Sequence, residues 1–275
     1  MKEQYKQSDL LSTFEVARSS YSYFQKASVS KSPERDRLRN KVISIHEESR
    51  GAAGSRSITA KLHQDDETIG RYKVASLMKE ANIESKQPNK PHRYKIADKQ
   101  SRIADNLLKR EYNVKSINQV WCGDVTYVWC GTRWLYLALV IDLYARRIVG
   151  WACSDSPDTE LTKKALKVAF MSRGSPAGVM FHSDQGCHYT SNAFQDQLKC
   201  YGMIQSMSRR GNCWDNVIIE RTFRSLKTEW MPDKFYDSLG DAEYDIMQYI
   251  KYYNSKRCHS YNDYLSPIKA EADAA

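Results

Sequence analysis

The chain has 275 residues, 41% hydrophobic and 27% charged, with a formal net charge of +9. Such a balance belongs to a folded globular protein rather than a disordered or fibrous one. The length suits one large domain or two to three small ones. No apolar run approaches the roughly 18 residues of a membrane span. No charged-then-apolar leader opens the sequence, so a cytoplasmic protein is expected. Seven Cys without a CxxC pair read as reduced thiols rather than a zinc or disulfide framework. The charge is unevenly placed. Residues 1–118 hold 24 Lys and Arg against 15 Asp and Glu, while residues 119–275 hold 18 against 18. A basic front part and a neutral remainder predict a DNA-binding portion followed by a separate chemical one.

Residues 1–84 are predicted helical. Leu11, Phe14 and Arg18 keep helical spacing, and Ser19 or Ser20 can cap a second short helix. A helix over residues 33–50 puts Leu38, Val42 and Ile45 on one face. Ile58 and Leu62 mark another, and Val74, Leu77 and Met78 a third that carries Arg71, Lys73 and Lys79. Three short helices with a basic last member fit a helix-turn-helix unit, whose recognition helix lies in the major groove. Arg71 and Lys73 are its candidate DNA-binding residues. Residues 85–118 read as a basic linker; within 85–100 are two Pro and five Lys or Arg against one Asp. Lys90 and Arg93 are candidate phosphate contacts there, each cation releasing counterions on binding.

Residues 119–232 read as an α/β domain. Strands are predicted over 119–128, 134–142 and 147–152, the second a nearly continuous apolar run as in a doubly buried strand. A helix follows over 159–171, then a short strand over 179–181, a helix over 191–201 and a strand over 203–207. A right-handed strand–helix–strand crossover would set the fourth strand beside the first. Residues 233–275 form a C-terminal tail with a helix over 242–253. Its Tyr252, Tyr253, Tyr261 and Tyr264, with Lys256, Arg257 and His259, suit either nucleic-acid contact or a cap packed on the core.

Three acids stand out in this frame. Asp124 lies within the first strand, Asp184 just after the fourth, and Glu220 in a helical segment after 35 intervening residues. Over residues 215–230, Ile219, Phe223, Leu226 and Trp230 recur at steps of four, three and four, which is one buried stripe of a helix. Asp215 is the expected N-cap of that helix. Glu220 falls at the stripe's edge, with Asn216 and Lys227 on roughly the same face. An acid in a strand, one after a second strand and one on a following helix form a rarer combination than any of them singly. Magnesium takes oxygen ligands and keeps several waters, so two or three carboxylates suffice to hold it, and manganese can substitute. Two such metals can stabilise the attacking and leaving oxygens of a phosphoryl displacement. His182 and His188 flank Asp184 and raise zinc as an alternative, against which the carboxylate set argues. Arg209 and Arg210, in the SRRGNC loop before the helix, and Arg224 on it are further candidate phosphate contacts.

The motifs NQVWCGDVTYVW around Asp124, HSDQGCHYTS around Asp184 and SRRGNCWDNVIIERTFRSLKTEW around Glu220 carry a family resemblance. WLYLALVIDLYARRIVGW and YYNSKRCHSYNDYLSP complete it. The chain resembles the DDE transposases, specifically the second-frame (OrfB-type) protein of the IS3 insertion-sequence family, over essentially its whole length. The spacing of the last two acids and a Lys seven residues after the Glu are hallmarks of that family. More loosely, it is similar to retroviral integrases. Two departures are Gly123, where a Thr is more usual, and Arg221, where a small polar residue is commoner. The resemblance implies a ribonuclease-H-like mixed sheet with flanking helices, preceded by a small all-α region. It implies Asp124, Asp184 and Glu220 as magnesium ligands and catalytic residues, with Lys227 against DNA. It further implies cleavage and joining of insertion-sequence ends, a homo-oligomer on DNA, and a first-frame helix-turn-helix protein as partner. A hydrolysis-only nuclease and a non-catalytic DNA-binding regulator are the alternatives.

Overall fold

The computed structural model describes residues 7–29, 33–86, 103–209, 213–232 and 234–274. Helices α1 (Gln7–Thr13) and α2 (Arg18–Val29) come first, and α1 buries none of its side chains. Helices α3 (Pro33–Glu48), α4 (Ser55–Gln64) and α5 (Arg71–Glu80) form a head with its own core. Leu38, Val42, Ile58, Leu62, Val74, Leu77 and Met78, the apolar positions of the three predicted faces, meet there with Ile69. A small set of aliphatic side chains from three crossing helices is enough to hold such a unit once packed.

The larger unit is built on one sheet: β1 (Val120–Cys130), β2 (Arg133–Asp142), β3 (Arg147–Ser154), β4 (Met180–Ser183) and β5 (Ile204–Met207). Spatial order is β3-β2-β1-β4-β5. The first three strands are antiparallel, while β4 runs parallel to β1 and β5 parallel to β4. Helix α6 (Thr159–Ser172) makes the crossover from β3 to β4, and α7 (Cys187–Thr190) and α8 (Asn192–Cys200) make the next. These helices cover one face, over Trp121, Ala138, Val140 and Phe181. Helix α9 (Val217–Ser225), a π-helical turn (Leu226–Trp230) and α10 (Leu239–Ser255) cover the other, over Cys122, Val128, Leu137 and Leu139. The alternation of strand side chains thus feeds two separate cores. The sheet and its two helical layers are the expected ribonuclease-H-like α/β arrangement.

Packing is tight where β3 meets α6. A Cβ on Gly150 would stand 2.4 Å from the Ala165 carbonyl oxygen, so only Gly admits the helix there. Residues 103–118 lie on the larger unit: Leu108 and Val114 are buried in the core under α9 and α10, and the Met207 N–H donates to the Asp105 carbonyl. Their apolar side chains gain more on the sheet than in water. The C-terminal segment caps the same core. Tyr249 and Tyr253 are fully buried, and α11 (Pro267–Ala272) places Glu271 against Arg147 and Arg173. Of the two readings of the C-terminal Tyr residues, packing on the core accounts for these two. Cys122, Cys130, Cys153, Cys187, Cys200 and Cys258 are free thiols. Among the described residues no helix is long and apolar enough to cross a membrane.

The head rests on this cap through polar contacts. Arg50 donates from Nη2 to Asp245 Oδ1 at 2.7 Å and from Nη1 to the Trp230 carbonyl at 3.0 Å. Its guanidinium stacks 3.9 Å above the Trp230 ring. Lys256 pairs with Glu48, and Gln64 donates to the Tyr264 carbonyl at 3.1 Å.

Candidate active site

The pairing of β1 with β4 sets two acids side by side. Gly123 lies opposite Ser183 in parallel register, so Asp124 and Asp184 are the next residue of each strand. Gly123 has a packing cause: a Cβ there would stand 2.3 Å from Phe181 Cζ. The Phe181 ring occupies the space that a Thr side chain would take. After β4 the chain turns tightly. The Gly186 N–H donates to Asp184 Oδ1 at 2.9 Å, and a Cβ on Gly186 would crowd that same oxygen. Asp124 Oδ1 accepts from the Val125 N–H at 2.7 Å.

Glu220 reaches the same cleft from α9. The periodic stripe is buried as expected: Ile219, Phe223, Leu226 and Trp230 are all in the core. The predicted single helix is in fact three pieces, a 3-10 turn over Cys213–Asn216, α9, and the π-helical turn. Asp215 does not cap it. The helix begins at Val217 after Asn216, without a side-chain cap, and Asp215 is buried in a set of ion pairs. Its carboxylate accepts from Arg110 Nε at 2.6 Å, Arg209 Nε at 3.1 Å and Asn106 Nδ2 at 3.0 Å. The Arg209 hydrogen bond, more than any other partner, holds this acid well below the usual range. A buried carboxylate gains more from two guanidinium groups than from a free helix N–H.

Electrostatically the three cleft acids are the opposite case. Burial pushes the Asp124 carboxyl well above its ordinary value, and the charges of Asp184 and Glu220 push it further. Burial likewise raises Asp184, against the Gly186 N–H and His188. Glu220 is raised by burial, with Arg224 opposing. Elsewhere, shielded acids meet guanidinium groups: Asp142 and Glu271 meet Arg173, Asp215 meets Arg110 and Arg209, Glu229 meets Arg257, and Asp245 meets Arg50. Such a pairing is missing for all three cleft acids among the described residues. Three mutually repelling carboxylates with oxygen-only donors fit a hard divalent cation. Among the described residues no three His, Cys, Asp or Glu side chains close into a cage as they stand. They converge on the cleft and leave it open.

Lys227 sits on the π-helical turn, a feature frequent at functional sites. Its ammonium lies 4.9 Å from the centre of the Tyr127 ring. Burial lowers its ordinary value, and Asp124 opposes that shift. His182 is a strut rather than a zinc ligand. It is fully buried, with Nδ1 at 2.9 Å from Ser206 Oγ and Nε2 at 3.0 Å from the Asp215 carbonyl oxygen. Arg71 and Lys73 are exposed on α5, and Arg224 is exposed one turn past Glu220. Arg209 is committed to Asp215. Arg210, Lys90 and Arg93 lie outside the described residues.

Comparison with known proteins identifies the family. Integrase core domain models match residues 115–213 and 201–267, and an HTH-like domain model matches residues 33–91. The putative transposase InsK of insertion sequence IS150 from Escherichia coli is 32% identical over 270 residues, 98% of this chain and 94% of the relative. Transposase InsF of IS3A, also from E. coli, is 38% identical over 170 residues, 62% of this chain and 59% of the relative. The chain belongs to the IS3-family transposases. A chain of the simian T-cell lymphotropic virus intasome in complex with PP2A regulatory subunit B56 gamma is 15% identical, with a TM-score of 0.49 over 84% of the transposase and 74% of that chain.

Sequence reasoning overlooked two parts of the transposase site. Arg110 and His182 hold the 3-10 turn before the Glu220 helix through Asp215, and nothing in their local sequence announced it. The only available signal was Asp215 itself, an acid six residues after Arg209 in a segment whose apolar stripe predicted burial.

Proposed function

We propose that this transposase cuts and joins DNA strands at the ends of its insertion sequence by magnesium-dependent phosphoryl transfer, with manganese able to substitute. The observation that carries the reading is the set of three shielded acids that form no ion pair among the described residues, beside shielded acids that do. Asp124, Asp184 and Glu220 would hold the divalent ions. Bound there, such ions supply positive charge to the attacking and leaving oxygens of an in-line displacement. Lys227 contributes a point charge toward a phosphate in the cleft. Gly186 and Val125 orient the two strand acids through their N–H groups. The Asp215–Arg110–Arg209 set fixes the entry to the Glu220 helix.

The head binds the element's terminal repeats, with Arg71 and Lys73 of α5 toward the major groove. The transposase works as an oligomer on DNA, together with the first-frame helix-turn-helix protein of the same element. The test uses purified protein, magnesium and labelled oligonucleotides carrying the element's ends. The expected products are a nicked end and a joined strand. Nicking without joining identifies a hydrolysis-only nuclease. DNA binding without either overturns the reading in favour of a regulator.

A further inference from the structure

The β1–β2 hairpin runs out beyond the helices that cover its face. On that face Val125 and Ala138 still pack against the core under α6, whereas Tyr127, Trp129 and Trp134 do not. They are 47%, 40% and 41% exposed. Trp129 pairs directly across the strands with Trp134, and Tyr127 lies one diagonal step away. The rings meet edge-on, Tyr127 with Trp134 at 5.0 Å and Trp129 with Trp134 at 4.8 Å. Edge-on packing leaves ring faces for another aromatic plane. Arg133 is exposed beside Trp134, and the Lys227 ammonium stands over Tyr127.

We propose that this aromatic face is a stacking platform for unpaired bases of the DNA strand whose phosphate lies in the cleft, a proposal that rests on the strand-transfer reading above. Exposed rings interleaved with cations are the physical elements of single-strand binding, because every base offers a π-face and every nucleotide a phosphate. Tyr127 and Asp124 leave opposite faces of β1; along the strand they are three residues apart, about 10 Å at strand rise. That is the span of about two or three stacked nucleotides at the helical rise of one strand. Lys227 joins the two places, since it faces Tyr127 and is felt electrostatically by Asp124. A second protein copy suits the patch less. With Phe235, 61% exposed against the Gly131 turn, the four side chains offer roughly 400 Å². A stable interface takes about 800 Å² from each partner.

The experiment uses the full chain in EDTA, with a short single strand carrying 2-aminopurine and a fully paired duplex of the same sequence. Trp134→Ala should weaken single-strand binding about tenfold and abolish most of the stacking quench of 2-aminopurine. Duplex binding should change less than about twofold, and the salt slope should stay the same because no cation is removed. Trp134→Phe should retain most of the affinity. Trp129→Ala repeats the test if melting shows that Trp134→Ala is unfolded. Equal loss on duplex and single strand, or no loss on either, overturns the platform. Loss of a dimer with oligonucleotide binding intact reassigns the patch to a subunit contact. A chain that stacks the base but joins no strands with magnesium sinks the strand-transfer reading and leaves base binding standing.

Discussion

Two groups of shielded acids lie at different places on one sheet. Near the ends of β2 and β3, Asp142 and Glu271 share Arg173, and Arg147 adds a second guanidinium to Glu271. In the cleft between β1, β4 and α9, Asp124, Asp184 and Glu220 face one another; burial raises each of them, as it raises Asp142, but none of the three has an ion pair among the described residues. The first group is internally neutralised and serves the fold. The second is left in electrostatic debt by the protein, and a buried charge persists unpaired only where something outside the chain completes it. Location in a cleft would not separate the groups; the identity of the neighbours does.

The largest expected effect breaks the comparison on the cleft side. Asp124→Asn, Asp184→Asn and Glu220→Gln should each lower cleavage and joining by about three orders of magnitude or more. Without metal, Asp124→Asn should melt no lower than the wild type, because it removes a charge that burial disfavours. Near-wild-type joining by any of the three, measured with magnesium on labelled ends, would remove that residue from the site.

Asp215 supplies the contrary case. Asp215→Asn leaves Arg110 and Arg209, both partly solvated, without their shared anion and should cost about 1–3 kcal/mol of stability, read by urea unfolding. Its folded value is depressed, so its contribution is full above the ordinary Asp range of about 4 and is lost as pH falls towards the folded value. Asp215→Asn should therefore flatten the acid limb of the wild-type stability profile. An unchanged acid limb would mean that the pair contributes nothing.

Gly123→Thr should destabilise by about 1–3 kcal/mol through overpacking against Phe181. Adding Phe181→Leu should recover part of that loss, a coupling that a double-mutant cycle measures directly. Additive effects would show that the ring yields without cost. The smallest effect belongs to Lys227→Ala, which should slow strand transfer by roughly tenfold or less while shifting stability within about 0.5 kcal/mol. A melting temperature lowered by several degrees would make Lys227 a structural residue.

Much of this was legible from residue patterns. The apolar run over 134–142 is β2, and the stripe Ile219, Phe223, Leu226 and Trp230 is buried. Those signals come from burial, which periodicity reports directly. Asp215 was misread because capping is a local rule, and its partner Arg110 lies 105 residues away. The packing of residues 103–118 on the core was hidden by their charge, with Leu108 and Val114 spaced among polar residues. Gly123 looked like a departure until Phe181 stood opposite it, since a cross-strand contact has no signature in one strand alone. Lys227 was placed by spacing along a regular helix, whereas its turn is π-helical and sets its ammonium over Tyr127.

The Arg50 contact has a mechanical consequence. The head is joined to the catalytic unit by the covalent chain and again by a guanidinium on Trp230 and Asp245, at the end of the segment that carries Glu220. Two attachments turn a leash into a ruler. Under the proposed function, a sequence gripped by the head would sit at a fixed offset from a phosphate in the cleft, and the position of a cut along the DNA would be a length measured by the protein's own shape.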